Sequence, residues 1–155
     1  MRKILFKAKR AKDGEWIEGY YYKVQETVHC FKEDYEKNPV PIHHFIIFTR
    51  TTDWGLPMQV YQTEIISETL CQFTGLYDKN GKKIWENDIC DRKEKYPEVV
   101  KMNNGDWTLD YSYVFGKEYG YGFCNLGFYV TERKCVEVIG NAFDNQELLQ
   151  EESDA

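Results

Sequence analysis

The sequence predicts an α+β domain dominated by antiparallel strands, a partly closed SH3-like barrel with an N-terminal β ribbon and a short C-terminal helix. Three observations carry that expectation. Aromatic residues make up 16% of the 155-residue chain, twelve of them tyrosines, a bias that favours sheet over helix. Several stretches alternate apolar and polar residues with a period of two. Strong turn chemistry separates them, at Lys12-Asp13-Gly14-Glu15, Asp78-Lys79-Asn80-Gly81 and Asn103-Asn104-Gly105-Asp106.

Taken in order, residues 3–9 alternate, with Ile4, Phe6 and Ala8 on one face and Lys3, Lys7 and Lys9 on the other. A hairpin turn follows, and Trp16 to Val24 returns as an aromatic strand in which Trp16, Tyr20, Tyr22 and Val24 share a face. Residues 26–41 are polar and form a loop with a helical turn at its middle. Residues 42–49, IHHFIIFT, are apolar on both faces, as in a central strand covered on each side. Trp54-Gly55 turns the chain into a strand over 58–66, and Ser67 starts a single helical turn.

The stretch 68–91, ETLCQFTGLYDKNGKKIWENDICD, is a fixed corner: Thr74-Gly75-Leu76 bends, Asp78 to Gly81 turns, and Ile84-Trp85 and Ile89-Cys90 are β-favouring apolar pairs. Residues 97–102 and the alternating Trp107, Leu109, Tyr111 and Tyr113 form a hairpin. Residues 116–127 hold four glycines with Tyr119, Tyr121 and Phe123 between them, a mobile aromatic loop. Residues 134–139 make a last strand, Gly140-Asn141 ends it, and Asp144 or Asn145 caps a short helix through Leu149. The predicted core is Ile4, Phe6, Trp16, Phe45, Ile47, Phe73, Leu76, Ile84, Trp85, Ile89, Val100, Trp107, Leu109, Val138 and Ile139. Residues 1–150 are expected to form one domain and 151–155 an acidic flexible tail.

Charge and composition narrow the function. The net charge is −6, all of it from residues 76–155; residues 1–75 balance ten bases against ten acids. An acidic whole disfavours phosphate binding, which depends on Lys and Arg. There is no long apolar run, hence no membrane partner and an expected cytoplasmic location. Five cysteines without a Cys-x-x-Cys are expected to be reduced, small buried hydrophobes. No cofactor is expected.

The residues capable of chemistry are few. His43 and His44 are adjacent on a strand and point to opposite faces, so one ion does not take both. The corner imitates a calcium loop, but Leu76 and Asn87 stand at its first and twelfth positions, where carboxylates are required. Glu86, Asp88 and Asp91, with Asp106 and Asp110 beyond, form an acidic cluster that could hold magnesium or serve a hydrolase; acids of this kind more often cap turns. No serine sits in a nucleophile elbow, and no glycine-rich loop opens a helix. Tyr-rich loops stack on bases or sugars, but more often form an interface. The candidate binding residues are therefore Trp16, Tyr20, Tyr119, Tyr121 and Phe123, with no catalytic residue and no metal ligand.

Three stretches resemble the YopX family of bacteriophage and prophage proteins. The most specific is 69–89, with Gln72-Phe73-Thr74-Gly75-Leu76, Asp78-Lys79-Asn80-Gly81 and Ile84-Trp85-Glu86-Asn87-Asp88-Ile89. The opening 4–8 with Gly14-Glu15-Trp16-Ile17-Glu18-Gly19-Tyr20 looks like that family's first strand pair, and Val138-Ile139-Gly140-Asn141 with Asn145-Gln146-Glu147-Leu148-Leu149 looks like its ending. The signature residues are then Gly75, Leu76, Asp78, Asn80, Gly81, Ile84, Trp85, Glu86, Asp88, Ile89, Gly140 and Asn141. Asn87 replaces a glycine of the family pattern, a swap that still permits positive φ. The aromatic usually near Lys9 is missing, and Gln146 replaces a proline. The resemblance implies a compact, mostly β protein of phage or prophage origin in a bacterial host, with no catalytic residues to carry over.

Three functions remain open at this stage. The first is a non-enzymatic accessory protein that binds another protein or assembles with itself. The second is a nucleic-acid binder using Arg2, Lys3, Lys7, Lys9 and Arg10 with Trp16, Tyr20 or Tyr121. The third is a metal-assisted hydrolase on Glu86, Asp88 and Asp91.

Overall fold

The computed structural model describes residues 1–26, 31–37, 40–50, 59–115 and 122–150. They are mainly antiparallel strands with two short α-helices. The chain divides into two compact units, 4–70 and 71–155 with residues 1–3. The tail at 151–155, the turn at Trp54-Gly55, and Tyr119 and Tyr121 lie outside the described residues.

The N-terminal unit is built on strands β1 (Phe6–Lys9), β2 (Trp16–Gln25), β3 (Ile42–Arg50) and β4 (Gln59–Glu64), in the order β4-β3-β2-β1. Helix α1 (Lys32–Lys37) is the expected helical turn, and Ser67–Thr69 is a 3-10 turn. Register explains the burial. Ala8 pairs with Ile17 and Tyr21 with Ile46, and this face holds the fully buried Ala8 and Ile46 together with Ile65. Gly19 is required here, because a Cβ would lie 2.1 Å from the Ile47 carbonyl oxygen. β3 is apolar on both faces, yet only Ile46 is buried within it; the predicted core residues Phe45 and Ile47 lie on the other face and are half-buried. The expected alternation holds within β1, where Ala8 is buried and Phe6 packs beside it; Ile4, placed on the same face, lies before the strand and is 57% exposed, while Leu5 is buried.

The C-terminal unit begins with the hairpin of β5 (Cys71–Tyr77) and β6 (Lys83–Trp85). The predicted bend at Gly75 is a register irregularity inside β5, with Gly75 at φ 86°. Strands β7 (Asp88–Asp91), β8 (Glu98–Asn103), β9 (Asp106–Asp110), β10 (Phe123–Asn125) and β11 (Glu137–Asn141) make one sheet in the order β10-β9-β8-β7-β11. The segments expected to form the barrel, 89–92, 97–102, 107–113 and 134–139, thus fall in one sheet. Its edges are β10 and β11, and no pairing among the described residues closes them into a barrel. The core joins Ile84, Cys90, Val100, Trp107, Leu109, Leu126, Val136 and Val138. Ile139 is exposed because the register slips between Val138 and Gly140.

Two local expectations are corrected. Residues 123–127 are not loop: they form β10 and the start of α2 (Leu126–Thr131). Asn125 starts that helix by accepting the Phe128 N–H at 2.7 Å, and Gly127 is tolerated in its first turn. The ending 146–149 is a 3-10 turn without a side-chain cap. The Asn145 side chain instead accepts the Asn141 N–H at 3.1 Å.

Candidate binding surface and the signature corner

The corner residues hold shape. Asp78 Oδ1 accepts the N–H groups of Asn80 and Lys82, each at 2.9 Å, and its Oδ2 accepts the Val138 N–H at 3.0 Å. One carboxylate therefore closes the turn and fixes it to β11. Burial alone would raise the Asp78 pKa, but the three N–H donors outweigh it and hold the group below the usual range. Gly81 sits at φ 80°, where glycine is favoured. Outside this buried bond, Lys79 Nζ lies 2.8 Å from Glu137 Oε2, and Asn80 Nδ2 donates to Glu137 Oε1 at 3.2 Å.

The second half of the signature is a turn of the same kind. Asp88, 2% exposed, accepts the Trp85 N–H at 2.9 Å. Asn87 takes φ 64°, as its place in the glycine position anticipates. Its N–H donates to the Val100 carbonyl and its carbonyl accepts the Ala142 N–H, each at 2.8 Å. Ile84, Trp85 and Ile89 are buried, Leu76 packs on the core, and Gly140 and Asn141 pair with Ile89 and Asp88. Asn141 Oδ1 then accepts the Phe143 and Asp144 N–H groups, each at 3.0 Å. The two signature stretches, far apart in sequence, meet in one hydrogen-bonded joint.

The acids of that stretch are engaged singly. Glu86 Oε2 accepts the Gln72 N–H at 3.2 Å, and Asp91 Oδ1 accepts the Lys93 N–H at 2.7 Å. With Asp88 on Trp85, each acid serves a different backbone donor. Among the described residues no three such side chains are grouped to hold an ion.

The candidate surface lies on the N-terminal sheet. Trp16, Tyr20, Tyr22 and Val24 share a face, and register sets Tyr20 opposite Ile47 and Tyr22 opposite Phe45. Phe45 and Ile47 continue to Glu64 and Gln62 on β4, and Val60 lies on the same side. Tyr22 and Phe45 stack at 5.3 Å, and the Tyr22 hydroxyl donates to Gln62. Tyr20 is 59% exposed and Val60 71%. At one rim Lys7 Nζ lies 4.9 Å from the Trp16 ring and Lys9 Nζ 5.4 Å. At the other, His43 lies 2.9 Å from Glu64 and 2.8 Å from Glu26, and these two hydrogen bonds raise its pKa. His44 points away from this face, and its Nδ1 lies 2.8 Å from the Tyr21 hydroxyl.

Trp16 and Tyr20 are thus brought together. Phe123 belongs to β10 of the other unit. Phe45, Ile47 and Val60 were not among the predicted surface residues, and the signal for the first two was the doubly apolar run at 42–49; Tyr22 was placed on this face but not among the binding residues. Of the basic set, Arg10 is engaged by Asp13, with Nη2 2.6 Å from Oδ2.

A mainly antiparallel β chain whose two turns, around Asp78 and Asp88, meet in one internal hydrogen-bonded joint is the class of protein these observations define. The chain belongs to the YopX family, whose model matches residues 5–150. The crystal structure of protein EF1440 from Enterococcus faecalis has a similar fold, with a TM-score of 0.52 and 19% identity, covering 97% of this chain and all of that one. No curated protein matches the sequence. Among the described residues no helix is long and apolar enough to cross a membrane.

Proposed function

We propose that this protein is a non-enzymatic binding module that assembles with a second copy of itself through the open face of its N-terminal sheet. The observation that carries the reading is the row Tyr20, Tyr22, Phe45, Ile47 and Val60, apolar or aromatic on an accessible sheet face. A contiguous patch of this kind marks interaction surfaces. A second copy fits because the face carries charges of both signs: Lys7 and Lys9, with Glu18 opposite Lys7, lie at one rim, and Glu26 and Glu64, joined by His43, at the other. A two-fold axis through the aromatic centre lays each rim on the opposite rim of the partner. The non-enzymatic part of the reading is supported by what the reactive groups do. The acids of the corner bind backbone, and burial drives the Cys90 thiol well above its ordinary value and that of Cys124 to about 12, leaving little thiolate at neutral pH.

Sedimentation equilibrium over a range of concentrations tests the proposal. The wild type is expected to associate, and the double variant Tyr20→Ser with Val60→Glu to sediment as a monomer. A wild type that stays monomeric at all concentrations overturns it. The second reading, nucleic-acid binding, rests on the lysines beside Trp16. It predicts binding to single strands that weakens steeply with salt, and a flat salt titration removes it.

A further inference from the structure

We propose that the C-terminal unit holds a site for one planar heteroaromatic ring of nucleobase size, distinct from the sheet face described above and independent of its role. A cavity of about 230 Å³ opens beside the start of β8, lined by Arg92, Glu94, Lys95, Tyr96, Glu98, Tyr111 and Phe115. Pockets for drug-sized ligands run from about 300 to 1,000 Å³. This one fits a single ring system.

Its walls select the kind of ring. Tyr96, Tyr111 and Phe115 supply aromatic surface, and the Tyr111 and Phe115 rings meet edge to face at 6.0 Å. Such surfaces stack well on flat rings. The charged groups cancel, two bases against two acids, so the cavity does not call for a strongly charged ligand. The polar end is rigid. The Arg92 side chain is only 11% exposed; Nε donates to Glu98 Oε1 at 2.6 Å and Nη1 to Glu94 Oε1 at 2.9 Å. The guanidinium also lies 4.4 Å from the Tyr129 ring. Glu98, 2% exposed, accepts a weak thiol bond from Cys124, with sulfur and Oε2 3.6 Å apart.

Arg92 Nη2 forms no ion pair among the described residues, so a guanidinium fixed on three sides keeps donors for a ligand. Covering those donors with plain hydrocarbon would cost their hydrogen bonds to water. An occupant that stacks on the aromatics and accepts from Arg92 replaces them. A nucleobase has both properties: a π face, and ring nitrogen or carbonyl acceptors of the sort arginine recognises. A benzene ring has only the first.

The test is a heteronuclear NMR titration of the whole chain with guanosine, uridine, p-cresol and a short single-stranded oligonucleotide. A nucleoside is expected to shift the amides of Lys95, Tyr96, Tyr111 and Phe115. Tyr111→Leu and Phe115→Ala are each expected to weaken binding about tenfold while leaving the thermal melt cooperative. An oligonucleotide at least tenfold tighter than the nucleoside, with a salt-dependent affinity, identifies the source as nucleic acid. An oligonucleotide no tighter identifies a free nucleoside; either result upholds the ring site. No shift at millimolar nucleoside overturns it, as does p-cresol binding equally well, or folded variants that bind like the wild type.

Discussion

The two halves of this molecule use their sheets in opposite ways. The C-terminal unit carries, among the described residues, a core cluster of eight buried side chains from Ile84 to Val138 and adds buried carboxylates that bind backbone, Asp78 and Asp88 among them. The N-terminal sheet buries Ala8, Ile46 and Ile65 on one side and leaves Tyr20 and Val60 largely exposed on the other. A buried acid on N–H donors is costly to disturb, since removing it strands donors that water does not reach. An exposed tyrosine row tolerates change in the free chain, and its cost is realised only when something covers it. The lesson is that the turn-rich stretch around Asp78 uses its polar groups to hold shape, while the exposed aromatic and apolar side chains of the N-terminal sheet are left to the solvent side.

The largest expected effect comes from breaking the joint. Asp78→Ala strands the N–H groups of Asn80, Lys82 and Val138, at least the last in a buried setting. Equilibrium unfolding in urea should show a loss of about 4 kcal/mol, roughly 2 for the buried Val138 donor and about 1 for each of the two part-buried ones. The effect depends on pH with a definite sign. Because the folded Asp78 carboxyl titrates below its unfolded value of about 3.9, its stabilisation is complete above that value and is lost as pH falls through the folded pKa. The difference between wild type and variant should therefore narrow below about pH 4. A difference that stays constant from pH 7 to pH 3 would show that the carboxylate charge is not what the joint uses.

Much of this contrast was legible in the sequence. The turn at Asp78 to Gly81, the positive φ of Asn87 and the shared face of Trp16, Tyr20 and Tyr22 all follow from local chemistry or period two. What local chemistry does not contain is the long-range bond of Asp78, to Val138 sixty residues on. The choice between faces of β3 was equally hidden. With Phe45, Ile46 and Ile47 all apolar, alternation carries no information, and register alone buries Ile46. Helix α2 was masked by the glycines around it, although Asn125 before an apolar run was a readable N-cap. The cavity beside Arg92 was invisible because its walls come from separated turns and strands.

Next in size is Gly19→Ala, which probes the one place where the N-terminal sheet is as unforgiving as the corner. The added methyl would meet the Ile47 carbonyl oxygen and, at 2.8 Å, Ile46 Cγ2. Backbone sits on one side of the clash, so the strands must separate. A cost of about 3 kcal/mol is expected in the same unfolding assay, at the upper end for overpacking. If the cost is below about 0.5 kcal/mol, like that of an ordinary surface change, β2 and β3 are less closely paired than their register indicates.

The smallest effect on stability is expected where the proposed effect on association is greatest. In Tyr20→Ser with Val60→Glu, both side chains are more than half exposed, so neither change opens a cavity or strands a buried donor. What is lost is β propensity and cross-strand contact, with Ile47 for Tyr20 and Thr49 for Val60. Together these amount to about 1 kcal/mol or less in the isolated chain. Measured at a concentration where the wild type is dissociated, the two urea transitions should nearly coincide. At a concentration where the wild type associates, its transition should move to higher urea and the variant's should not, since association stabilises by mass action. A variant that loses several kcal/mol even as a monomer would place Tyr20 and Val60 among the residues that hold the sheet together, and the division between a joint that keeps shape and a face that meets partners would fail.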